Sequence, residues 1–203
     1  MPDTELDYDI LDEGYFSSMA NRLLNECYLL INKRKYRLVE IEFYLKSDHH
    51  PDPYAHCNED QLIMHAFYFH RFKNGTYKAG NYKGLDLSFG DAETNSFFGI
   101  LIRAIQDIKT STITEGPCNC VNKILAAYDC ASIMEFTGGE NLNIFENKHN
   151  FKLVPTNSLK KEVIAAGPRI GLSDKYPDYQ KRSYRFVIYK NRIKKQKTTL
   201  VEI

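Results

Sequence analysis

Two carboxylates and a tyrosine on one face of a predicted strand are the residues of this sequence best placed for acid–base chemistry. From Leu38 to Leu45 the side chains alternate, so that Glu40, Glu42 and Tyr44 share one face while the opposite face is wholly apolar. A period of two residues is typical of a strand that packs one face on a core. We therefore expect the acidic face to form the floor of a cleft.

Two further predicted strands each carry an ionisable residue that interrupts an apolar pattern. Asp86 lies within residues 85–90, and Arg103 interrupts the near-continuous apolar run 97–105. A guanidinium keeps its proton and is costly to bury unpaired, so Arg103 needs an anionic partner. The candidate carboxylates are Glu40, Glu42 and Asp86. A carboxylate held by an arginine can deprotonate a water; alternatively, these charges form a structural ion-pair network.

A segment rich in histidine and proline, residues 46–56, follows the acidic strand. Pro51 and Pro53 hold this segment extended, so it can fold over the acidic face. It carries His50, Tyr54 and His56 as candidate ring-bearing residues of the cleft.

The histidines and cysteines lack the spacing of a metal site, and we expect no metal or other cofactor. His65 and His70 are five residues apart, whereas two ligands on one helical face are four apart. Cys118 and Cys120 have no second cysteine pair at zinc-ribbon spacing. Five cysteines, an odd number, fit free thiols in a reducing compartment.

The remaining pattern predicts an α+β single domain, with helices packed on a curved, mainly antiparallel sheet. Predicted helices start at Ser17 or Ser18, run from Asn58 through residues 59–71, open at Gly116-Pro117 and occupy residues 129–135. Further strands are predicted at residues 152–154, 169–172 and 184–189. We place the domain at residues 15–192, after an acidic mobile arm (1–14) and before a basic C-terminal tail (193–203).

The net charge of +1 over 203 residues does not by itself indicate a nucleic-acid-binding protein. The charge is nevertheless segregated, since the chain starts acidic and ends basic, and this can create a basic face. A solvated tail is an equal alternative for the last ten residues. With no apolar run of about 18 residues and no secretory signal, we expect an intracellular protein, nuclear or cytoplasmic and not secreted, without a membrane partner.

Five segments between residues 36 and 190 occur in the order found in a known enzyme family. The segments are 37–44 with His56 downstream, 100–104, 116–117, 168–172 and 184–186. Together they resemble the alkyladenine (methylpurine or 3-methyladenine) DNA glycosylases. The resemblance implies the fold of that family and a monofunctional DNA glycosylase of base excision repair. Such an enzyme hydrolyses the N-glycosidic bond of a flipped alkylated or deaminated purine.

The resemblance also implies roles for individual residues. Glu42 would be the general base that activates water, Arg103 would help to place the water and a phosphate, and Tyr44 and His56 would sandwich the base. The partner would be double-stranded DNA with a damaged purine, bound by a monomer. The candidate DNA contacts are Tyr77, Tyr82, Arg169, Lys181, Arg182 and Arg185.

Several positions depart from the family's pattern. The spacing from Glu42 to His56 is longer, so Tyr54 or His50 is an alternative stacking residue. Asp86 stands where the family has an asparagine that contacts the base, and it can accept from an amino group or compete for Arg103. The rival functions are a hydrolase of nucleosides, nucleotides or single strands, a non-catalytic nucleic-acid-binding module, and a structural protein with an inert ion-pair network.

Overall fold

An antiparallel sheet of eleven strands organises the part of the chain that the computed structural model describes, residues 12–203. The strands are β1 Cys27–Ile31, β2 Arg34–Lys46, β3 Met64–Phe69, β4 Leu85–Phe89, β5 Phe97–Asp107, β6 Ile113–Glu115, β7 Leu142–Asn143, β8 Lys152–Pro155, β9 Ile164–Gly167, β10 Arg185–Ile188 and β11 Val201–Glu202. The α-helices are α1 Glu13–Asn25, α2 Pro117–Ala127, α3 Ile133–Thr137 and α4 Pro177–Gln180. The predicted class, one α+β domain with a mainly antiparallel sheet, is confirmed.

The two longest strands, β2 and β5, lie side by side at the centre of the sheet. The main strand order is β11-β9-β10-β2-β5-β4-β3-β7. Glu42 of β2 and Asp86 of β4 both stand opposite Leu101 of β5. Because directly opposed residues of antiparallel strands share a face, the two carboxylates lie on the same side of the sheet.

The other face of β2 is apolar and packs against α1. Val39, Ile41 and Phe43 are fully buried there. The ring of Phe16 in α1 stacks on that of Phe43, with centroids 4.7 Å apart. The predicted apolar face of β2 is therefore confirmed, although the register of β2 with β5 shifts between Leu38 and Ile41.

The predicted helix over residues 59–71 is wrong. A 3₁₀ turn, Glu59–Leu62, is followed directly by β3, although Asn58 does cap the turn as expected. His65 has a positive φ of 59°, which breaks a helix. The next four residues, 66–69, are all buried between neighbouring strands, and tertiary burial thus overrides the helical spacing.

The boundaries at both ends also differ from the prediction. Helix α1 begins at Glu13, and its N-cap is Asp12 rather than Ser17 or Ser18. Most of the predicted arm, residues 1–11, lies outside the described residues.

The predicted C-terminal tail is not a tail. Ile193 and Leu200 are buried, and β11 pairs with β9, because these apolar residues complete the sheet edge.

The predicted strand over residues 169–172 is absent, and the strand in this region is β9, Ile164–Gly167. The backbone N–H of Ile170 bonds a carboxylate instead of a neighbouring strand. Gly171 has a φ of +78°, which an extended strand does not use. No helix among residues 12–203 is long and apolar enough to cross a bilayer.

Candidate active site

The acidic face of β2 meets Arg103 of β5 in a buried cluster of charges. Arg103 Nε donates to Glu40 Oε1 at 2.9 Å, and its Nη1 lies 3.3 Å from Glu42 Oε2. All three residues are more than nine-tenths buried. The predicted pairing of Arg103 with Glu40 and Glu42 is confirmed, and its pairing with Asp86 is wrong because that carboxylate has other partners.

Glu42 receives hydrogen bonds on both carboxylate oxygens. The backbone N–H of Ile170 donates to Oε1 at 2.7 Å, and the hydroxyl of Tyr44 donates to Oε2 at 2.8 Å. Burial raises the pKa of Glu42, while Arg103 and these two donors act in the opposite direction. A carboxylate with a raised pKa is a better match to general-base work near neutral pH than an exposed one.

A cavity of about 210 Å³ adjoins this cluster. Its aromatic wall consists of Tyr44, Tyr54 and His56, and its polar wall consists of Gln61, His70, Asp86 and Arg103. Glu42 is fully buried and does not line the cavity. Tyr44, Arg103 and Ile170 each contact Glu42 and also line the cavity, so they separate the carboxylate from the cavity by a single layer.

Two larger open grooves adjoin the cavity. The first groove, of about 850 Å³, shares His70, Leu101 and residues 170–171 with it. Its cationic residues are Lys83, Arg192, Lys194 and Lys195. The second groove, of about 740 Å³, shares His56 with the cavity, and its cationic residues are Arg71, Lys73 and Lys78. The first groove is thus mainly basic, whereas the second groove also contains Glu59 and Asp60, and Asp60 pairs with Arg71.

Asp86 is held by two polar neighbours. Its Oδ1 lies 2.7 Å from His70 Nε2, and its Oδ2 accepts a bond from Gln61 Nε2 at 3.1 Å. Asp86 lines the cavity, as expected of a base-binding residue, but it does not compete for Arg103. The charge at this position is satisfied within the protein.

The described part of the chain offers no group of three or more His, Cys, Asp or Glu side chains arranged to hold a metal ion. All five cysteines are free thiols. The only cysteine in the first groove is Cys118, whose thiol donates to the carbonyl of Gly80.

Comparison with known proteins links the chain to a viral protein. A scan against known protein families gives no match. An uncharacterized protein of Acanthamoeba polyphaga mimivirus is 54% identical over 211 residues, which cover 98% of each chain. The chain belongs to the same family as that viral protein.

His56 and Tyr54 lie where the cleft hypothesis requires them, whereas His50 does not. His56 is exposed at the junction of the cavity and the second groove. Its pKa is lowered, because the surrounding protein disfavours the charged ring and His70 and Lys78 repel it. His50 bonds the Leu45 carbonyl and the Tyr184 hydroxyl within the core, so the prediction that it stacks on a base is wrong.

The two tyrosines predicted to contact DNA differ in how firmly the protein holds them. Tyr77 is tied down, since its ring lies under the guanidinium of Arg71 and its hydroxyl is 3.0 Å from Thr137 Oγ1. Tyr82 is 75% exposed and lines the first groove. Only Tyr82 of this pair can reach a ligand outside the protein without breaking these contacts.

Four basic residues predicted to bind DNA are not in the grooves. Arg169 is buried between Asp52 and the ring of Tyr44, and Arg185 is buried against Glu40, because each neutralises an internal carboxylate. Arg182 is packed over the ring of Tyr179. Lys181 is exposed but lines neither groove.

Several residues that line the site are not predicted by the sequence to do so. The spacing of His70 tests it only as a metal ligand, and Gln61 falls in the predicted helix. Lys194 and Lys195 fall in the predicted tail, yet they line the first groove because the C-terminal segment folds back. The backbone N–H groups of both lysines bond Glu115, which fixes this segment. The basic composition of the C-terminus was the available signal.

Proposed function

We propose that this chain is a monofunctional DNA glycosylase that hydrolyses the N-glycosidic bond of a damaged purine flipped out of double-stranded DNA. The observation that carries the proposal is the position of Glu42 and Arg103, which meet behind one wall of the small cavity. The general base, a cation and an aromatic wall thus come from separate segments to one place. This is the arrangement that attack by water on a flipped nucleotide requires.

The size and lining of the cavity suit a single base. The cavity has a volume of about 210 Å³. Tyr44, Tyr54 and His56 present aromatic rings to it. Stacking of a base on such rings is worth about 1–3 kcal/mol per base. A purine held there would lie beside Arg103, and a single layer of residues would separate it from Glu42.

The reaction consumes one water. Glu42 takes a proton from the water, whose oxygen bonds the sugar carbon as the carbon–nitrogen bond breaks and its electron pair stays on the departing purine. Because Glu42 lies one layer behind the cavity, we route this proton through the Tyr44 hydroxyl, which lines the cavity and contacts the carboxylate. Arg103 keeps Glu42 in place and offers positive charge to the nearest phosphate.

The two grooves provide the route for the DNA strands. The positive side chains of the first groove favour a polyanion, whereas Glu59 and Asp60 offset much of the positive charge in the second groove. The cavity where the grooves meet admits one extruded nucleotide. Tyr82, at the first groove, is the candidate wedge that fills the gap left in the duplex. Unstacking a base costs a few kcal/mol, which the stacking wall offsets in part.

The order of the segments that resemble the alkyladenine DNA glycosylases supports the same proposed activity. The segments that resemble the alkyladenine DNA glycosylases fall on β2, β5, the start of α2, residues 168–172 and β10. Residues from the first four of these segments line the cavity or the first groove. We propose on this basis that the curved-sheet fold of those enzymes is the fold of this chain.

The test is base release from oligonucleotides that carry methylated, etheno or deaminated purines. The wild-type protein should release at least one of these bases from a duplex, and Glu42→Gln should abolish release while DNA binding persists. Free nucleosides and single strands serve as parallel substrates. Release from them and not from the duplex would favour the nucleoside or single-strand hydrolase, and binding without any product would favour the non-catalytic module.

A further inference from the structure

Arg169 is a buried arginine that the proposed reaction does not use, and it joins three segments of the site. Two of its guanidinium nitrogens bind the two carboxylate oxygens of Asp52, an arrangement called here the Arg169–Asp52 fork. Nη1 also donates to the Phe43 carbonyl of β2 at 2.9 Å. Neither charged side chain is exposed to solvent. Each of the three joined positions lies within two residues of Glu42, Tyr54 or Ile170.

The residue after Arg169 supplies a hydrogen bond to the proposed general base. The backbone N–H of Ile170 donates to Glu42 Oε1 at 2.7 Å. Residues 168–172 belong to no strand, so no ladder of backbone bonds holds this N–H in place. It stays directed at the carboxylate only if the preceding residue is fixed by other contacts. The contacts of the Arg169 side chain with Asp52 and Phe43 fix it.

The same guanidinium lies behind the aromatic wall of the cavity. Its central carbon is 4.4 Å from the centroid of the Tyr44 ring and 5.6 Å from that of the Tyr54 ring. Asp52 Oδ1 also accepts a bond from the backbone N–H of Tyr54 at 3.0 Å. The hydroxyl of Tyr54 donates to the Ser173 carbonyl. The segment that carries Tyr54 and the segment that carries Ile170 are therefore tied together at two points.

Stabilisation of the fold does not by itself account for the fork. Replacement of a buried ion pair by apolar residues is often neutral or stabilising, so such a pair is weak evidence of a role in stability. The Nε–H of Arg169 is also buried, and it has no hydrogen-bond partner within residues 12–203, which costs free energy. What the fork does provide is a fixed geometry, because a planar guanidinium on a carboxylate sets both distance and orientation.

We propose that Arg169 and Asp52 are positioning residues that hold the Ile170 amide on Glu42 and the Tyr54 ring at the cavity. The effect on base release rests on the proposed glycosylase activity, whereas the effect on Glu42 is a property of the folded protein. Without the fork, residues 168–172 can move away from β2, and Glu42 loses one of its donors. Since a hydrogen bond to a carboxylate favours its ionised form, the pKa of Glu42 should then rise further.

Two variants break the fork while preserving either its charge or its shape. Arg169→Lys keeps the positive charge but lacks the planar pair of donors. Asp52→Asn keeps the shape and removes a negative charge, which by itself would lower the pKa of Glu42. The matched control is Arg37→Lys. Arg37 is also buried, bonds the Leu24 carbonyl and the Asn25 side chain, and lines neither the cavity nor a groove.

The titration of Glu42 is followed by NMR of the glutamate carboxyl carbons, with Glu42→Gln to assign the signal, and base release is measured in single turnover on a duplex that the wild type cleaves. We expect both fork variants to raise the titration midpoint and to lower base release by about 100-fold, the cost of misplacing a reacting group by about 1 Å. The other ionisable side chains that face Glu42 stay unchanged in both variants; they are Glu40, Tyr44, Arg103 and Arg185. Arg37→Lys should lower the urea midpoint but leave the titration and the rate at their wild-type values.

A Glu42 midpoint that stays at the wild-type value or falls in either folded fork variant would overturn the positioning role, and so would an equal rise in Arg37→Lys. Failure of both fork variants to fold, with Arg37→Lys folded, would assign the fork to stability alone and overturn the role as well. If the wild type releases no base, the glycosylase proposal fails, and the titration of Glu42 alone decides whether the fork positions Ile170.

Discussion

The hydroxyl of Tyr44 donates a 2.8 Å hydrogen bond to the carboxylate of Glu42, two residues earlier on the same strand. Burial and the neighbouring carboxylate raise the pKa of Tyr44 well above its usual range, so the phenol stays protonated and keeps this bond. One side chain thus forms part of the aromatic wall and also reaches the buried base.

Tyr44→Phe separates these two roles. It keeps the ring and its contact with a bound base but removes the hydroxyl that lines the cavity and bonds Glu42. We expect single-turnover base release to fall by about 100-fold, with DNA affinity within a few-fold of wild type. An unchanged rate with a normal affinity would show that the proton reaches Glu42 by another route.

The rate of base release should rise with pH through the pKa of Glu42. Only the ionised carboxylate accepts a proton, and burial raises its pKa above that of an exposed glutamate. The midpoint of the rise should therefore lie above the ordinary glutamate value of about 4.3. The profile is measured with 7-methylguanine, which carries a positive charge and leaves as a neutral base, so that protonation of the leaving base does not enter the profile. A rate that is flat or falls as the pH rises would contradict Glu42 as the base.

Arg103 should also stabilise the fold. Arg103→Gln leaves Glu40 and Glu42 buried without this countercharge, and removal of one partner of a buried pair costs about 3–5 kcal/mol. The free energy of unfolding in urea measures the loss. The control is Lys148→Ala, which breaks an exposed pair with Glu140 and should leave the urea midpoint unchanged. Similar midpoints for the two variants would disprove this role of Arg103.

The first groove should set the salt dependence of DNA binding. Changing Lys194 and Lys195 to Gln should weaken binding to damaged and undamaged duplex alike and reduce the slope of log affinity against log salt by about one per lost phosphate contact. Lys181→Gln, which removes an exposed charge outside both grooves, is the matched control. If Lys181→Gln weakens binding as much as the groove variant does, the DNA does not follow the first groove.

The centre of the site could be predicted because its signals are local or electrostatic. The alternation along β2 places Glu40, Glu42 and Tyr44 on one face, and an arginine within an apolar strand must find a carboxylate on an adjacent strand. Both inferences need only the strand period and the cost of an unpaired buried charge. The pairing of Arg103 with Glu40 and Glu42 follows from them.

The rest of the site depends on contacts between distant residues that no local pattern encodes. Ile170 donates to Glu42 across 128 positions of sequence. The helical spacing of residues 59–71 was overridden by pairing with β4 and β7, which moved Gln61 and His70 to the cavity. The high charge of the C-terminal segment predicts a solvated tail. Burial of Ile193 and Leu200 instead folds this segment back onto the domain.

Base release by the wild type and by Glu42→Gln is the most direct measurement of the central claim. Glu42→Gln keeps the shape of the side chain and removes its ability to take a proton. We predict that wild type releases a damaged purine from duplex DNA, and that the variant binds the same duplex but releases no base. Release by Glu42→Gln at the wild-type rate, or no release by the wild type from any damaged purine, would contradict the account.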